Sequence, residues 1–255
     1  MVQPRRWFRR AVVLLTLAVV GAAGALWLSL PDVEPLARAN PATTAFIELR
    51  RERAEKRHVP FRLRWKWRRL DQISPYLRHA VIHAEDARFW QHDGVDWEAV
   101  LEAAEQNWEE RSLGRGASTI TQQVAKNLYL SPSRSPVRKL REYLIARRLE
   151  RHLTKRRLLE IYLNIAEWGD GVFGAEAAAE RWYGCSAAAL SPVQAARLAV
   201  ALPSPRRFST AHRSATLERK AERLLRAMRR DRLIDAAQLE LALAEVSVPH
   251  PTARR

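Results

Sequence analysis

Residues 74–97 read SPYLRHAVIHAEDARFWQHDGVDW. The first half predicts a helix: Ser74 stands at the N-cap, Pro75 at the first helical position, and Tyr76, Leu77, Ala80, Val81 and Ala84 form an apolar stripe. That stripe ends in two adjacent carboxylates, Glu85 and Asp86, with Phe89, His92, Gly94 and Asp96 behind them. At about 100° per residue, Glu85 lies about 40° around from Val81, on the edge of the stripe. A carboxylate there is half desolvated, which raises its proton affinity and suits general-base work, although a plain ion pair perturbs a carboxylate in the same way. His79, His83 and Asp86 share another face at i, i+4 and i+7, a spacing compatible with metal ligands. Against a metal stand the absence of a His-Glu-x-x-His pattern and the solvent-facing direction of that face. His92 reads equally as a loop histidine, and Asp96 as the N-cap of the next helix.

Outward from this stretch the chain reads as helix after helix. Asp96 caps WEAVLEAAEQNW, Thr119 and Gln122 form a capping box, and Ser135-Pro136, Thr154 and Ser191-Pro192 with Gln194 each open another helix, the last stopping before Pro203 and Pro205. A mostly α domain is therefore expected over residues 61–245, with a tail at 246–255. At its start FRLRWKW, residues 61–67, alternates apolar and basic side chains, which predicts a short strand lying on the membrane interface or on the domain body. Residues 31–60, with four prolines and little periodicity, read as a linker and entry segment. Residues 11–30 are apolar except Thr16 and Ser29 and follow a basic tail, 1–10, carrying four arginines. Roughly 20 such residues span a bilayer, more than the about 7–15 of a signal-peptide core, so a retained transmembrane helix is expected. The arginines hold the N-terminus in the cytoplasm, which places everything after Pro31 on the far side of the membrane, in a bacterium the periplasm or outer face.

The 255-residue chain is 47% hydrophobic, enough for one sizeable core, and its single cysteine, Cys185, excludes an internal disulfide or a cysteine zinc site. A formal charge of +16 raises nucleic acid as a partner. Export argues against that and in favour of anionic lipid head groups and pyrophosphates.

Three further stretches carry candidate chemistry. In GRGASTITQQVAKNL, residues 114–128, Gly114 and Gly116 lead through Ser118 and Thr119 into a helix whose free N–H groups favour an anion, with Lys126 one turn past Gln122. The glycine spacing is wrong for a P-loop, and a capped helix explains Thr119 and Gln122 equally. In SRSPVRKLREYLIARRLERHL, residues 133–153, Arg138 and Glu142 sit at i, i+4 with Arg134 before them. They make either a surface ion pair or a cationic cluster that holds a pyrophosphate, alone or through a divalent ion. In KRRLLEIYLNIAEWGDGVFGAEAAAERWYG, residues 155–184, Gly169, Gly171 and Gly174 form a turn between helices that could admit substrate close to the backbone.

Taken in order, Glu85-Asp86-x-x-Phe89-x-x-His92-x-Gly94-x-Asp96, GASTITQQVAKNL, RKLRE, the 155–184 stretch and LSPVQAARLAVALPSPRRF at 190–208 resemble the peptidoglycan glycosyltransferases, glycosyltransferase family 51. The resemblance covers Leu70 to Phe208. With no second domain after residue 255, the chain looks like a monofunctional, proteobacterial member. The resemblance implies a mostly α, lysozyme-like, two-lobed domain that polymerises lipid II into β-1,4 glycan and releases undecaprenyl pyrophosphate. Glu85 matches the general base and Glu142 the second carboxylate. Lys126, Arg134 and Arg138 match positions around the pyrophosphate, and Asp86, Ser118, Gln123 and Arg141 match supporting positions. The resemblance fixes no certain cofactor; a divalent cation, Mg2+ or Mn2+, near Glu142 is compatible with it. The implied partners are lipid II, the nascent glycan, inner-membrane lipids and other cell-wall synthases or division proteins, with no nucleic acid. Ala117, His83 and Gln194 depart from the residues common in the family.

Chemistry favours transfer over cleavage. A glycosidase must protonate a departing sugar alcohol and needs a carboxylic acid for it, whereas a pyrophosphate leaves as a weakly basic anion that cations alone can stabilise. A lysozyme-like cleaving enzyme and a non-catalytic, membrane-anchored lipid II scaffold are the alternative readings.

Overall fold

The computed structural model describes residues 4–110, 117–133, 135–203, 205 and 214–247. The long apolar stretch becomes α1, Pro4–Leu28. Within it Trp7–Leu28, 22 residues of mean hydropathy 2.4, is the one helix among the described residues long and apolar enough to cross a membrane, a test that a signal sequence also passes. The helix starts earlier than expected, so Arg5, Arg6, Arg9 and Arg10 belong to its first turns instead of a separate tail. It also ends earlier, because Leu30 leaves it to join the buried core.

Residues 31–60, read as a linker, contain α2, Ala45–Lys56. Thr44 Oγ1 caps it by accepting from Ile47 N at 3.1 Å, and Ile47 is fully buried. Burying one such side chain is worth about 1.5–3 kcal/mol, which explains how a polar helix is held against the domain. Periodicity hid it because its apolar face is little more than Phe46 and Ile47.

The other helices are α3 (Pro75–Glu85), α4 (Trp97–Glu109), α5 (Ile120–Tyr129), α6 (Pro136–His152), α7 (Lys155–Ile165), α8 (Ala175–Tyr183), α9 (Pro192–Ala201), α10 (Ala215–Arg230) and α11 (Ala236–Ser247). The predicted caps at Asp96, Thr119, Ser135, Thr154 and Ser191 form, each accepting from the backbone three residues on. Ser74 differs. Its hydroxyl donates to the Leu190 carbonyl at 3.1 Å, tying α3 to the segment before α9.

Two groups of helices share one core. In the first, α3 packs on α9 and α10, and α11 joins them. In the second, α5 lies between α6 and α7, with Ile120, Val124 and Ala125 against Ile145, Leu149, Leu158 and Leu159. A small sheet closes one end: β1 (Arg64–Trp65) runs parallel to β3 (Val172–Phe173), and β2 (Glu167–Gly169) runs antiparallel to it, in the order β1-β3-β2. Only two residues of FRLRWKW are therefore strand. Its tryptophans face the domain body: Trp65 Nε1 donates to Asn164 O at 2.7 Å, and Arg157 stacks on Trp67 with 5.4 Å to the ring centroid. Gly171, at φ +71°, lets the hairpin approach β1, since a Cβ there would stand 2.6 Å from Arg62 O. That glycine serves packing within the sheet.

Arginines of α6 and α7 grip the chain leaving α1. Arg141 donates to Ser29 O, Arg148 to Leu30 O and Pro31 O, all at 3.2 Å, and Arg157 to Leu36 O and Ala39 O at 2.8 Å. Arg148 also lies over the Trp27 ring at 4.8 Å.

Candidate active site

Glu85 is the last residue of α3, half-buried where that helix meets α5. Gln123 Nε2 donates to Glu85 Oε2 at 2.6 Å, and Tyr162 Oη, from α7, donates to Gln123 Oε1 at 3.1 Å. Burial raises the Glu85 carboxyl above its ordinary value, against the opposing pull of the Gln123 hydrogen bond and the Lys126 charge. Burial also pushes the Tyr162 phenol well above its usual range, so it stays a neutral donor. The role of Tyr162, buried on α7, was not legible in the sequence. Its hydroxyl could have been singled out there only by knowing that α5 and α7 pack side by side.

Asp86, one residue on, is buried, and both its oxygens are engaged. Oδ2 accepts from the Ile120 backbone N–H at 2.9 Å, at the N-terminus of α5, and Oδ1 pairs with His92 Nε2 at 2.9 Å. A carboxylate at a helix N-terminus is stabilised by the free N–H groups and the dipole. Asp86 therefore fixes α5 relative to Glu85, and its oxygens do not turn toward His79 and His83. Asp231, at the end of α10, meets the two histidines instead, with Oδ2 at 2.7 and 2.8 Å from their Nε2 atoms.

Glu142 is 2% exposed, so its pairing with Arg138 is not a surface ion pair. Arg138 Nη1 donates to one of its oxygens and Lys139 Nζ to the other, at 2.5 Å; Lys139 also reaches Ser118 Oγ at 3.2 Å. Lys126 sits between the two carboxylates, within electrostatic range of Glu142, Arg138, Lys139 and Glu85, and has no hydrogen-bond or ion-pair partner among the described residues. Burial lowers the proton affinity of its ammonium, which Glu142 partly restores. Arg138 Nε is likewise buried without a partner.

Hydrogen-bonded to each other, Glu85 and Gln123 line different cavities. Glu85 faces one of about 500 Å3 with Asp86, Ser118 and Thr119; Gln123 faces one of about 470 Å3 with Lys126, Tyr162, Phe46 and Arg50. The last two come from α2, so the segment read as a linker builds a wall of the site. Arg50 is held there by Glu167 at 2.5 Å. Of the predicted residues, Glu85, Gln123, Lys126, Arg138, Glu142 and Ser118 thus converge, Asp86 supports them from below, and Arg141 lies apart on the α1 exit. Arg134, Gly114 and Gly116 fall outside the described residues.

The transglycosylase family model matches residues 54–229. Proteins named biosynthetic peptidoglycan transglycosylase are similar over most of the chain. The one from Nitrosospira multiformis is 47% identical over 186 residues, 73% of this chain and 81% of its own. That from Laribacter hongkongensis is 47% identical over 189 residues, 74% and 83% of the two chains. That from Aromatoleum aromaticum is 50% identical over 169 residues, 66% and 74%. A lysozyme-like helical domain, a half-buried carboxylate, Glu85, near the cations Lys126 and Arg138, and these matches lead to one conclusion: the chain is an enzyme that belongs to the transglycosylase family.

Proposed function

We propose that this enzyme polymerises lipid II into β-1,4-linked glycan, with undecaprenyl pyrophosphate as leaving group. The observation that carries the reading is Glu85 within electrostatic range of Lys126: a half-buried carboxylate made more basic by burial, near a half-buried ammonium with no ion-pair partner among the described residues. Glu85 takes the proton of the acceptor 4-hydroxyl as that oxygen attacks the donor anomeric carbon from the face opposite the pyrophosphate. Lys126 and Arg138, with Arg134, balance the charge that accumulates on the departing pyrophosphate. The buried Arg138 Nε, which has no partner among the described residues, supports this role, because a buried N–H without an acceptor is costly unless a ligand supplies one.

A divalent ion at Glu142 does not fit the residues present. Both carboxylate oxygens already accept from Arg138 and Lys139, and two cations adjoin the position an ion would take. Glu142 instead holds those cations in place.

The exposed side chains of α6 support a membrane placement. Val137 and Leu140 are exposed on its first turns, Trp97 and Leu101 on neighbouring α4, and Arg141 of the same stretch touches the end of α1. An apolar surface beside the end of an apolar helix supports an inner-membrane anchor with the domain resting on the periplasmic leaflet. The test is conversion of labelled lipid II by the full chain in detergent, wild type beside Glu85→Gln. Polymer from wild type alone is expected. No polymer from folded wild type that binds lipid II moves the reading to a scaffold, and release of fragments from preformed glycan moves it to a hydrolase.

A further inference from the structure

His79 and His83 stand one turn apart on α3, with ring centroids 4.2 Å apart and an interplanar angle of 31°. Both Nε2 atoms point at one oxygen, Oδ2 of Asp231, which caps the far end of α10. The three candidate ligand atoms all lie within 4.8 Å of one another. As a purely hydrogen-bonded cluster this is an uneconomical arrangement, because two imidazole Nε2 atoms compete for a single carboxylate oxygen. We propose that His79, His83 and Asp231 form a binding site for a divalent transition-metal ion of the zinc type, clipping α10 to the helix that carries Glu85.

The donor set defines the metal. Two imidazoles and one carboxylate suit zinc and its neighbours, whereas Mg2+ and Ca2+ prefer all-oxygen sites. Ligands of a tetrahedral zinc stand roughly 3.3 Å apart, from metal–ligand bonds of about 2.0–2.1 Å. The present separations of 2.7 and 2.8 Å therefore have to widen by about half an ångström each. Asp231 can make that move, since its side chain is 37% exposed. The same exposure leaves a coordination position open to water and a route for the ion. Arg230 opposes the cation, but its Nε lies 3.6 Å from the other oxygen, Oδ1, and leaves Oδ2 to the metal. His83 also lines the Glu85 cavity, so the ion would brace one edge of the active site.

The test uses tag-free, chelator-stripped full chain in detergent. Titration with Zn2+ should show one site per chain, and Tm should rise by roughly 5–10 °C at a hundredfold excess over Kd. Co2+ should give the visible absorption of a tetrahedral site, while Mg2+ should do neither. His83→Ala and Asp231→Asn should each weaken Zn2+ binding at least tenfold and abolish the cobalt spectrum. Absence of Zn2+ binding by folded wild type, or a Zn2+ shift retained in both variants, overturns the proposal.

Discussion

Gln123 Nε2 holds Glu85 Oε2 at 2.6 Å while Tyr162 holds the other end of the same amide, so the orientation of the Glu85 carboxylate is set from a helix that does not carry it. Tyr162→Phe removes the donor that fixes which way the amide points, allowing Gln123 to turn its oxygen toward Glu85. The carboxylate then loses stabilisation and its pKa climbs further. The expected outcome is a lower kcat with the acidic limb of the pH–rate profile moved upward and KM for lipid II little changed. An unmoved limb would mean that the tyrosine serves packing alone.

Glu85→Gln should lower turnover by about 10^2–10^4 while lipid II binding persists. Its stability should move the other way. Because the folded state holds the Glu85 proton more tightly than the unfolded chain, stability is lost as pH rises through the folded pKa, and the charged group opposes folding at neutral pH. The variant should melt at or above the wild-type Tm at pH 7, with the difference shrinking toward pH 4. A lower Tm at neutral pH would contradict the burial argument.

Lys126→Met should raise KM and reduce kcat together, since leaving-group charge is present before and during departure. The folded state holds the lysine proton less tightly than the unfolded chain does. The ammonium therefore opposes folding at neutral pH, and its cost fades as pH climbs through the folded pKa. A thermally hardened but inactive protein is the expected result, read by melting and by polymerisation assay. Unchanged kinetics would remove Lys126 from the pyrophosphate.

Asp86→Ala leaves the Ile120 N–H and His92 without their acceptor, at a cost of about 2–4 kcal/mol in chemical denaturation. Asp86→Asn keeps one acceptor oxygen and should retain part of that stability. If neither substitution destabilises the chain, Asp86 does not tie α5 to α3.

Helices announced by a proline or a capping hydroxyl, such as α5 behind Thr119 and α9 behind Ser191, were legible because a cap and a periodic stripe are both local. The edge position of Glu85 was legible for the same reason. What escaped was set by tertiary partners. α2 has almost no stripe, yet twelve residues free of proline and glycine behind Thr44 were a usable signal. Asp231 lies 152 residues from His79, and local spacing favoured the nearer Asp86. Arg141 sits in the same cluster of arginines as Arg138 and could not be separated from it by type or spacing. Its direction on α6, toward Ser29 O, separates them.

The grip of Arg141, Arg148 and Arg157 on residues 29–39 makes the join between stalk and head a bracket instead of a hinge. Any turn of α1 about its long axis swings the cleft through the same angle, and any tilt of the helix lifts one rim of the cleft while lowering the other. Height and heading of the Glu85 cavity are thereby geared to a single apolar rod.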